Sequence, residues 1–367
     1  MGTILRNIVA GCLTLFMAVS VQAGYIYTTL DVPGASSTYG YGIEDSNIVG
    51  KYRDGVGDTH GFVYHGSTYT TFDVPGASYT AAHGIDGSNI VGWYEDGGGS
   101  HGFLHDGSID TYTTLDVLGA NKTHVLDIDG STIVGWHGNT IGFHHSGSDT
   151  HGFRWDIPTN TYTTLTPHVT GAIETFAHGI DGSTIVGWYY SDGIEYGLIY
   201  DGSTDTYATF NVPEVGRTYG YGIDGSNIVG WYEDSGGNNH GFNYDISTNT
   251  YTTLDVPGAA DTYAHSIDGG NIVGWYVAHG GGIHGFLATI PESADFDEDG
   301  DVDGTDFLLW QAGYPTSTGA THLLGDADYD GDVDGIDFLI WQRIYPYPAV
   351  LSSVPNRPRW CCSRLVG

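Results

Sequence analysis

The stretch YTTLDVPGAADTYAHSIDGGNIVGWYVAHGGGIHGF, from Tyr251 to Phe286, decides the fold, because the chain carries it six times. YTTL-like starts stand at Tyr27, Tyr69, Tyr112, Tyr162, Tyr207 and Tyr251, at successive intervals of 42, 43, 50, 45 and 44 residues. A period of that size marks one supersecondary unit stacked on copies of itself. In the second copy, four runs of β-branched and aromatic residues are each closed by turn residues: Tyr69 to Val74, Ala81 to Ile85, Asn89 to Tyr94 and His101 to His105. Asp86-Gly87 predicts a tight hairpin between the second and third runs, since Asp tolerates and Gly favours positive φ. Gly97-Gly98-Gly99 and Asp106-Gly107-Ser108 supply the next two turns. Four antiparallel strands in about 44 residues make one propeller blade.

The phase of the repeat predicts how six blades close. Each HGF run is joined to the following YTTL by a short turn such as Ser247-Thr248-Asn249, so the two form a hairpin. The first YTTL, at Tyr27, has no HGF before it, and the last HGF, at His284, has no YTTL after it. Pairing Tyr27 to Val32 with Gly285 to Thr289 closes the ring and removes two exposed strand edges. An open β-solenoid is the alternative.

Composition agrees with an all-β, turn-rich body: 58 glycines and 27 tyrosines in 367 residues. With 10 Lys+Arg against 44 Asp+Glu, the formal charge of -34 makes nucleic acid a poor partner, because phosphate binding needs clustered cations. Residues 1–23 read as a secretory signal, with Arg6 ahead of an apolar run from Ile8 to Val21 and small residues at Val21-Gln22-Ala23. No other segment is long and apolar enough for a stable membrane span in the mature chain, so the expected location is secreted or cell-surface. The three cysteines, Cys12, Cys361 and Cys362, exclude a disulfide scaffold.

Residues 24–291 resemble the extracellular HAF repeat family. The resemblance rests on HGF at His60, His101, His151, His240 and His284, and on IVGWY-like runs at Ile90, Ile133, Ile185, Ile228 and Ile272. YDISTNTYTTL, Tyr244 to Leu254, is similar to the Kelch blade pattern. The resemblance implies an exported β-repeat protein and no particular reaction. The repeated His101, His240 and His284, and the repeated Trp93, Trp188, Trp231 and Trp275, recur once per blade and point in different directions round a ring, which reads as core packing and inter-blade hydrogen bonding. His137, His144, His145 and His151 crowd the long third copy without any standard zinc spacing. Glu95-Asp96 and Glu233-Asp234 precede glycine-rich turns and read as solvated hairpins rather than a facing catalytic pair.

The strongest motif lies beyond the repeats. DFDEDGDVDGTD, Asp295 to Asp306, and DADYDGDVDGID, Asp326 to Asp337, each fit a twelve-residue calcium loop. Asp295, Asp297 and Asp299, and again Asp326, Asp328 and Asp330, occupy positions 1, 3 and 5. A glycine follows at 6, and Asp306 and Asp337 stand at 12. Calcium takes six to eight hard oxygens, which alternate carboxylates wrapped round a glycine turn provide. Asp301 and Asp332 at position 7 are expected to offer backbone carbonyls, and Asp303 and Asp334 at position 9 to act directly or through water. Two loops predict two Ca²⁺ ions.

Pro291, four residues before Asp295, leaves no room for an entering helix, whereas Phe307 to Gln311 and Phe338 to Gln342 supply exiting ones. A duplicated loop plus exit helix ending in Asp resembles a type I dockerin, which implies two bound calcium ions and docking to a cohesin in an extracellular, often polysaccharide-related, assembly. Gly304-Thr305 and Gly335-Ile336 stand where dockerins often carry partner recognition, and depart from the common Ser-Thr pair. Phe307, Leu308, Trp310, Phe338, Leu339 and Trp341 are more apolar residues than two short helices need, which predicts an exposed patch. The expected partner-binding residues are therefore Gly304, Thr305, Leu308, Trp310, Gly335, Ile336, Leu339 and Trp341. The tail, 348–367, reads as disordered, with Ser353-Val354-Pro355 resembling the start of a PEP-CTERM sorting signal but with Asn356 in place of Glu.

Together these features predict a secreted, six-bladed β-propeller over 24–291 and a small α-helical dockerin-like module over 292–347. The expected role is non-catalytic binding or scaffolding, with a cohesin-like protein and an extracellular glycan as candidate partners and no residue assigned to catalysis. An extracellular glycoside hydrolase or polysaccharide lyase is the alternative.

Overall fold

The computed structural model describes residues 25–139, 150–167, 172–290, 293–297, 301–329 and 331–345. The signal-like stretch, His144 and His145, Pro291, Asp299, Gly300, Asp330 and the cysteine-containing tail lie outside the described residues. The chain divides into two compact units, Met1–Ile290 and Pro291–Gly367.

Among the described residues of the first unit, 24 strands fall into six antiparallel groups of four. The second copy shows the pattern. Tyr79–Asp86, Asn89–Glu95 and Ser100–Asp106 pair in succession, and Thr111–Leu115 of the next copy adds the outermost strand. At the ends, Ile26–Leu30 pairs antiparallel with Ile283–Thr289, in the register Ile26 to Thr289 through Leu30 to Gly285. This is the pairing that the repeat phase predicts. Innermost strands pack on their neighbours all the way round, including Ser37–Glu44 on Ala259–Asp268, so the array is a closed, propeller-like ring rather than an open solenoid.

The repeated motifs have distinct jobs. The Phe of HGF is the core residue: Phe62, Phe103, Phe153, Phe242 and Phe286 are fully buried. Each packs into a cluster drawn from two adjacent copies, as Phe153 does with Val91, Leu115 and Val125. The glycine of IVG faces a bulge in the innermost strand, where a Cβ on Gly92 would lie 2.0 Å from the Ala81 carbonyl oxygen. The histidine of HGF is not a core residue, contrary to expectation. His60, His101, His240 and His284 stand at the partly exposed end of the hairpin, each holding Asp73, Asp116, Asp255 or Asp31 through Nδ1 at 2.9 to 3.1 Å. The last of these pairs joins the two ends of the repeat array.

The Asp-Gly turn also differs from its expected form. The two-residue turn is Gly87-Ser88, with Gly87 at φ 57°, and Asp86 is the last residue of its strand. That leaves its carboxylate free to accept the N–H of Gly130 in the next blade. The same latch recurs from Glu44 to Gly87, Asp129 to Gly182, Asp181 to Gly225 and Asp224 to Gly269, and Asp268 closes the circle by accepting the N–H of Asp45. Six inter-blade hydrogen bonds thus rim one mouth of the axis.

The tryptophans pack both within and between blades. Trp275 stacks on Tyr263, Trp231 on Tyr219 and Trp188 on Phe176, each its register partner in the same blade. Across to the next blade Trp188 meets Tyr219, Trp231 meets Tyr263 and Trp275 meets Tyr39, each at 5.2 Å, and Trp93 stacks on His124 at 4.0 Å. Trp136, which meets both His124 and Phe176, carries the belt into the fourth copy. In the first copy Lys51 stands where the other five have Trp, and bridges the belt by donating to the Tyr79 hydroxyl at 2.8 Å from above the Tyr39 ring.

Candidate metal centre

The second unit is built on two helices, α1 (Gly304–Gly313) and α2 (Gly335–Ile344), with a short 3-10 turn at His322–Leu324 between them. Each helix begins in a capping box. The Asp303 carboxylate accepts the Thr305 N–H at 2.6 Å, and Asp306 reaches back to accept the Asp303 N–H at 2.7 Å; Asp334 and Asp337 do the same for α2. Among the described residues no helix enters the first loop, as the position of Pro291 predicts. A small core of Ala294, Phe296, Ala327 and Ile340 holds the two halves together.

This local folding gathers the loop carboxylates. Ligand oxygens of Asp295, Asp297 and Asp306 lie within 4.8 Å of one another, as do those of Asp326, Asp328 and Asp337 and those of Asp332, Asp334 and Asp337. Asp306 and Asp337 are buried, as is Asp326. Besides its capping bond, Asp306 accepts the Phe296 N–H at 2.6 Å, and Asp337 the Ala327 N–H at 2.6 Å, so each position-12 carboxylate ties the start of its loop to the start of its helix. Asp301 and Asp303 are exposed and join no such group among the described residues, and the Asp332 side chain gathers with Asp337 where a backbone carbonyl was expected.

Three like charges at this spacing, with one or two of them out of water, repel strongly unless a cation lies among them. The donors are all hard oxygens, with no nitrogen or sulfur, which fits Ca²⁺ rather than zinc or copper.

Cross-links between the two halves were not legible in the motif. The Trp310 indole N–H donates to the Asp334 carbonyl at 2.9 Å, and the Trp341 indole N–H to the Asp303 carbonyl at 2.9 Å, a reciprocal pair. His322 sits between the loop starts, with Nε2 2.8 Å from the Asp295 carbonyl oxygen and Nδ1 3.1 Å from that of Asp326. The exit-helix residues sort accordingly. Phe307, Trp310, Phe338 and Trp341 form an interhelical aromatic cluster, with Trp310 and Phe338 centroids 4.9 Å apart. Leu308 and Leu339 are each 60% exposed and Ile336 52%, and Gly304, Thr305 and Gly335 are exposed beside them.

The ring has its own polar centre. The six latching acids and Asp127 line a cavity of about 150 Å³. Burial raises Asp127 to about 7, against hydrogen bonds from the Ile180 and Ile128 N–H groups that favour its charge. Behind the acids, His83, Tyr41, His265, Tyr221 and His178 pack in sequence round the axis at 4.2 to 4.9 Å. Burial holds His178 neutral, at about 3, and His83 and His265 well below their usual value. Each accepts a tryptophan N–H at Nε2. The sequence signal for these residues was the slot before Gly-Ile-Asp or its variants, which holds Tyr or His in five copies and Leu126 in the third. The paired acids lie in blades 2 and 5, opposite one another round the ring, and Asp96 and Asp234 face His101 and His240 of their own hairpins. Of the third-copy histidines, His137 and His151 lie 5.9 Å apart between ring centroids.

No protein-family model matches the chain, and no curated protein matches it. Among solved structures it is similar to TolB from Acinetobacter baumannii, at 15% identity over 66% of this chain and 64% of TolB, with a TM-score of 0.49. It is also similar to a lectin of Aleuria aurantia solved with Fucα1-6GlcNAc, at 14% identity over 71% and 93% of the two chains, TM-score 0.44. A third likeness is to the β-propeller domain of the Trilobed protease from Pyrococcus furiosus, at 9% identity over 69% and 94%, TM-score 0.42. The chain spans just under two thirds of TolB. Likenesses at this level carry nothing about ligand or activity.

Proposed function

We propose that this is a secreted, non-catalytic scaffold or binding protein: a six-bladed propeller joined to a dockerin-like module that holds two Ca²⁺ ions and docks a cohesin-like partner in an extracellular, polysaccharide-related assembly. The observation that carries the reading is the duplication of one arrangement, a buried position-12 aspartate gathered with the aspartates of positions 1 and 3, in both loops. The exposed Leu308 and Leu339 stand at matching places on the two helices, beside Thr305 and Ile336, and supply the apolar contact a partner needs. The test is biolayer interferometry of the full chain against a panel of purified cohesin modules, with Ca²⁺ and with EDTA. Binding that needs Ca²⁺ and is lost in the Leu308→Ala/Leu339→Ala variant supports the reading; no binding, or binding indifferent to EDTA, overturns it.

The ring of acids favours a second reading, an extracellular carbohydrate-active enzyme, because Asp127 has the raised pKa a general acid needs. Against it, all six rim carboxylates are engaged in inter-blade hydrogen bonds. Polysaccharide cleavage by the wild type that Asp127→Asn abolishes decides for the enzyme.

A further inference from the structure

We propose that the module takes up its two ions as a coupled pair, with Trp310 and Trp341 as the coupling residues. This rests on the calcium reading above and goes beyond it, since two separate loops imply nothing about each other. Each loop is held to the other half at its ninth residue, and the two loops share one neighbour at their first. At position 1, the Asp295 and Asp326 carbonyls face opposite nitrogens of one imidazole, His322, which donates to one of them as a neutral ring and to both only as imidazolium. At position 9, the Asp303 and Asp334 carbonyls each receive an indole N–H from the helix that follows the other loop.

Position 9 is also the N-cap of the helix, two residues after the position-7 residue and three before the position-12 ligand. Ordering the first loop therefore sets the Asp303 carbonyl where Trp341 reaches it, and Trp341 lies on the helix that Asp337, the last ligand of the second loop, begins. The converse path runs from Asp334 through Trp310 to the helix begun by Asp306. A loop that relaxes without its ion gives up an acceptor that orients the other half's helix. Coupling of this kind is reciprocal: each site gains from the other by the same factor. An indole–carbonyl bond of ordinary strength is worth about five-fold in such a factor, and the two together make roughly tenfold or more.

The experiment is a calorimetric Ca²⁺ titration of the full chain, wild type and Trp310→Phe/Trp341→Phe. Phenylalanine keeps the aromatic packing and removes only the N–H donors. The wild type is expected to bind two ions, the second about tenfold tighter per site than the first, and the variant two ions with that factor reduced towards one. A companion variant, Asp326→Asn, disables the second loop and should weaken the first by about tenfold without touching its ligands. Two independent wild-type sites, or cooperativity unchanged in the phenylalanine variant, overturn the coupling and leave the calcium reading standing. No Ca²⁺ uptake at all overturns both. Should the phenylalanine variant fail to fold, the wild-type isotherm and the Asp326→Asn affinity decide the matter alone.

Discussion

Replacing Leu30 by Ala tests ring closure at the one place where the outermost strand of a blade comes from the far end of the chain. Leu30 is 1% exposed and packs with Val32, Ile43, Ile48, Phe62 and Val273. Truncating a leucine in such a site costs about 3 kcal/mol, within a usual range of roughly 2 to 5. Leu254, at the same place in another hairpin, is equally buried and serves as the control. The two differ in connection. The Leu254 strand is tied to its partner by a short turn, whereas Ile26–Leu30 is held only by its five register pairs with Ile283–Thr289 and by contacts such as Asp31 with His284. Loss at Leu30 should therefore appear as local detachment. A cost of about 3 kcal/mol raises the opening constant by about 150-fold, read by hydrogen exchange at Phe286 and Leu287. Leu254→Ala should leave those amides close to the wild type. Equal exchange there in the two variants refutes closure by strand exchange.

Other consequences follow from single side chains. His101 and His240 lose some affinity for the proton by burial but gain more from Asp116 with Asp96 and from Asp255 with Asp234, so both pKa values are raised. Their stabilising contribution is complete below about pH 6.5 and lost as pH rises through the folded value; that of Asp96 and Asp234, whose pKa values are lowered first by backbone N–H donors, is lost as pH falls below about 4. The hairpin ends of blades 2 and 5 should be most ordered between those limits, and Asp116→Asn should lower the His101 midpoint in an NMR titration; a wild-type midpoint at or below that of a free histidine contradicts this. Asp127, raised to about 7, stabilises the ring below about pH 4 and loses that contribution as pH climbs through 7, by at most about 4 kcal/mol, so Asp127→Ser should flatten urea stability against pH over that span. Phe296, fully buried in a small core, should cost about 3 to 5 kcal/mol as Phe296→Ala and unfold the second unit by near-ultraviolet dichroism while the ring's own transition stays put.

Much of this architecture was written in the sequence, for a physical reason. A repeat fixes one blade and its phase together, so the orphan YTTL and HGF runs predicted that Tyr27 to Val32 pairs with Gly285 to Thr289, and the strands Ile26–Leu30 and Ile283–Thr289 do pair. The two acidic loops were legible because alternating carboxylates and a glycine turn are local features of the sequence. What escaped was non-local. Asp86 looked like a turn residue because Asp-Gly is a turn signal, and only the neighbouring blade shows that its carboxylate latches Gly130. The HGF histidine was read as core packing because it recurs once per blade; it shares a strand face with the Phe two residues on, but the Phe lies buried in mid-strand and the His at the partly exposed strand end. For Trp310 and Trp341 the sequence did not show that their indoles donate to Asp334 and Asp303, in loops 24 and 38 residues away.

The most direct test of the account is hydrogen exchange of the full chain, resolved by peptide, with Ca²⁺ and after chelation. Twelve loop aspartates and a core of a few side chains should not hold the second unit without its ions. The predicted result is that protection across 293–345 collapses in EDTA, and first at Asp306 and Asp337, while the strands of the ring keep theirs. Unchanged protection over 293–345 without calcium, or a loss shared by the ring, contradicts it.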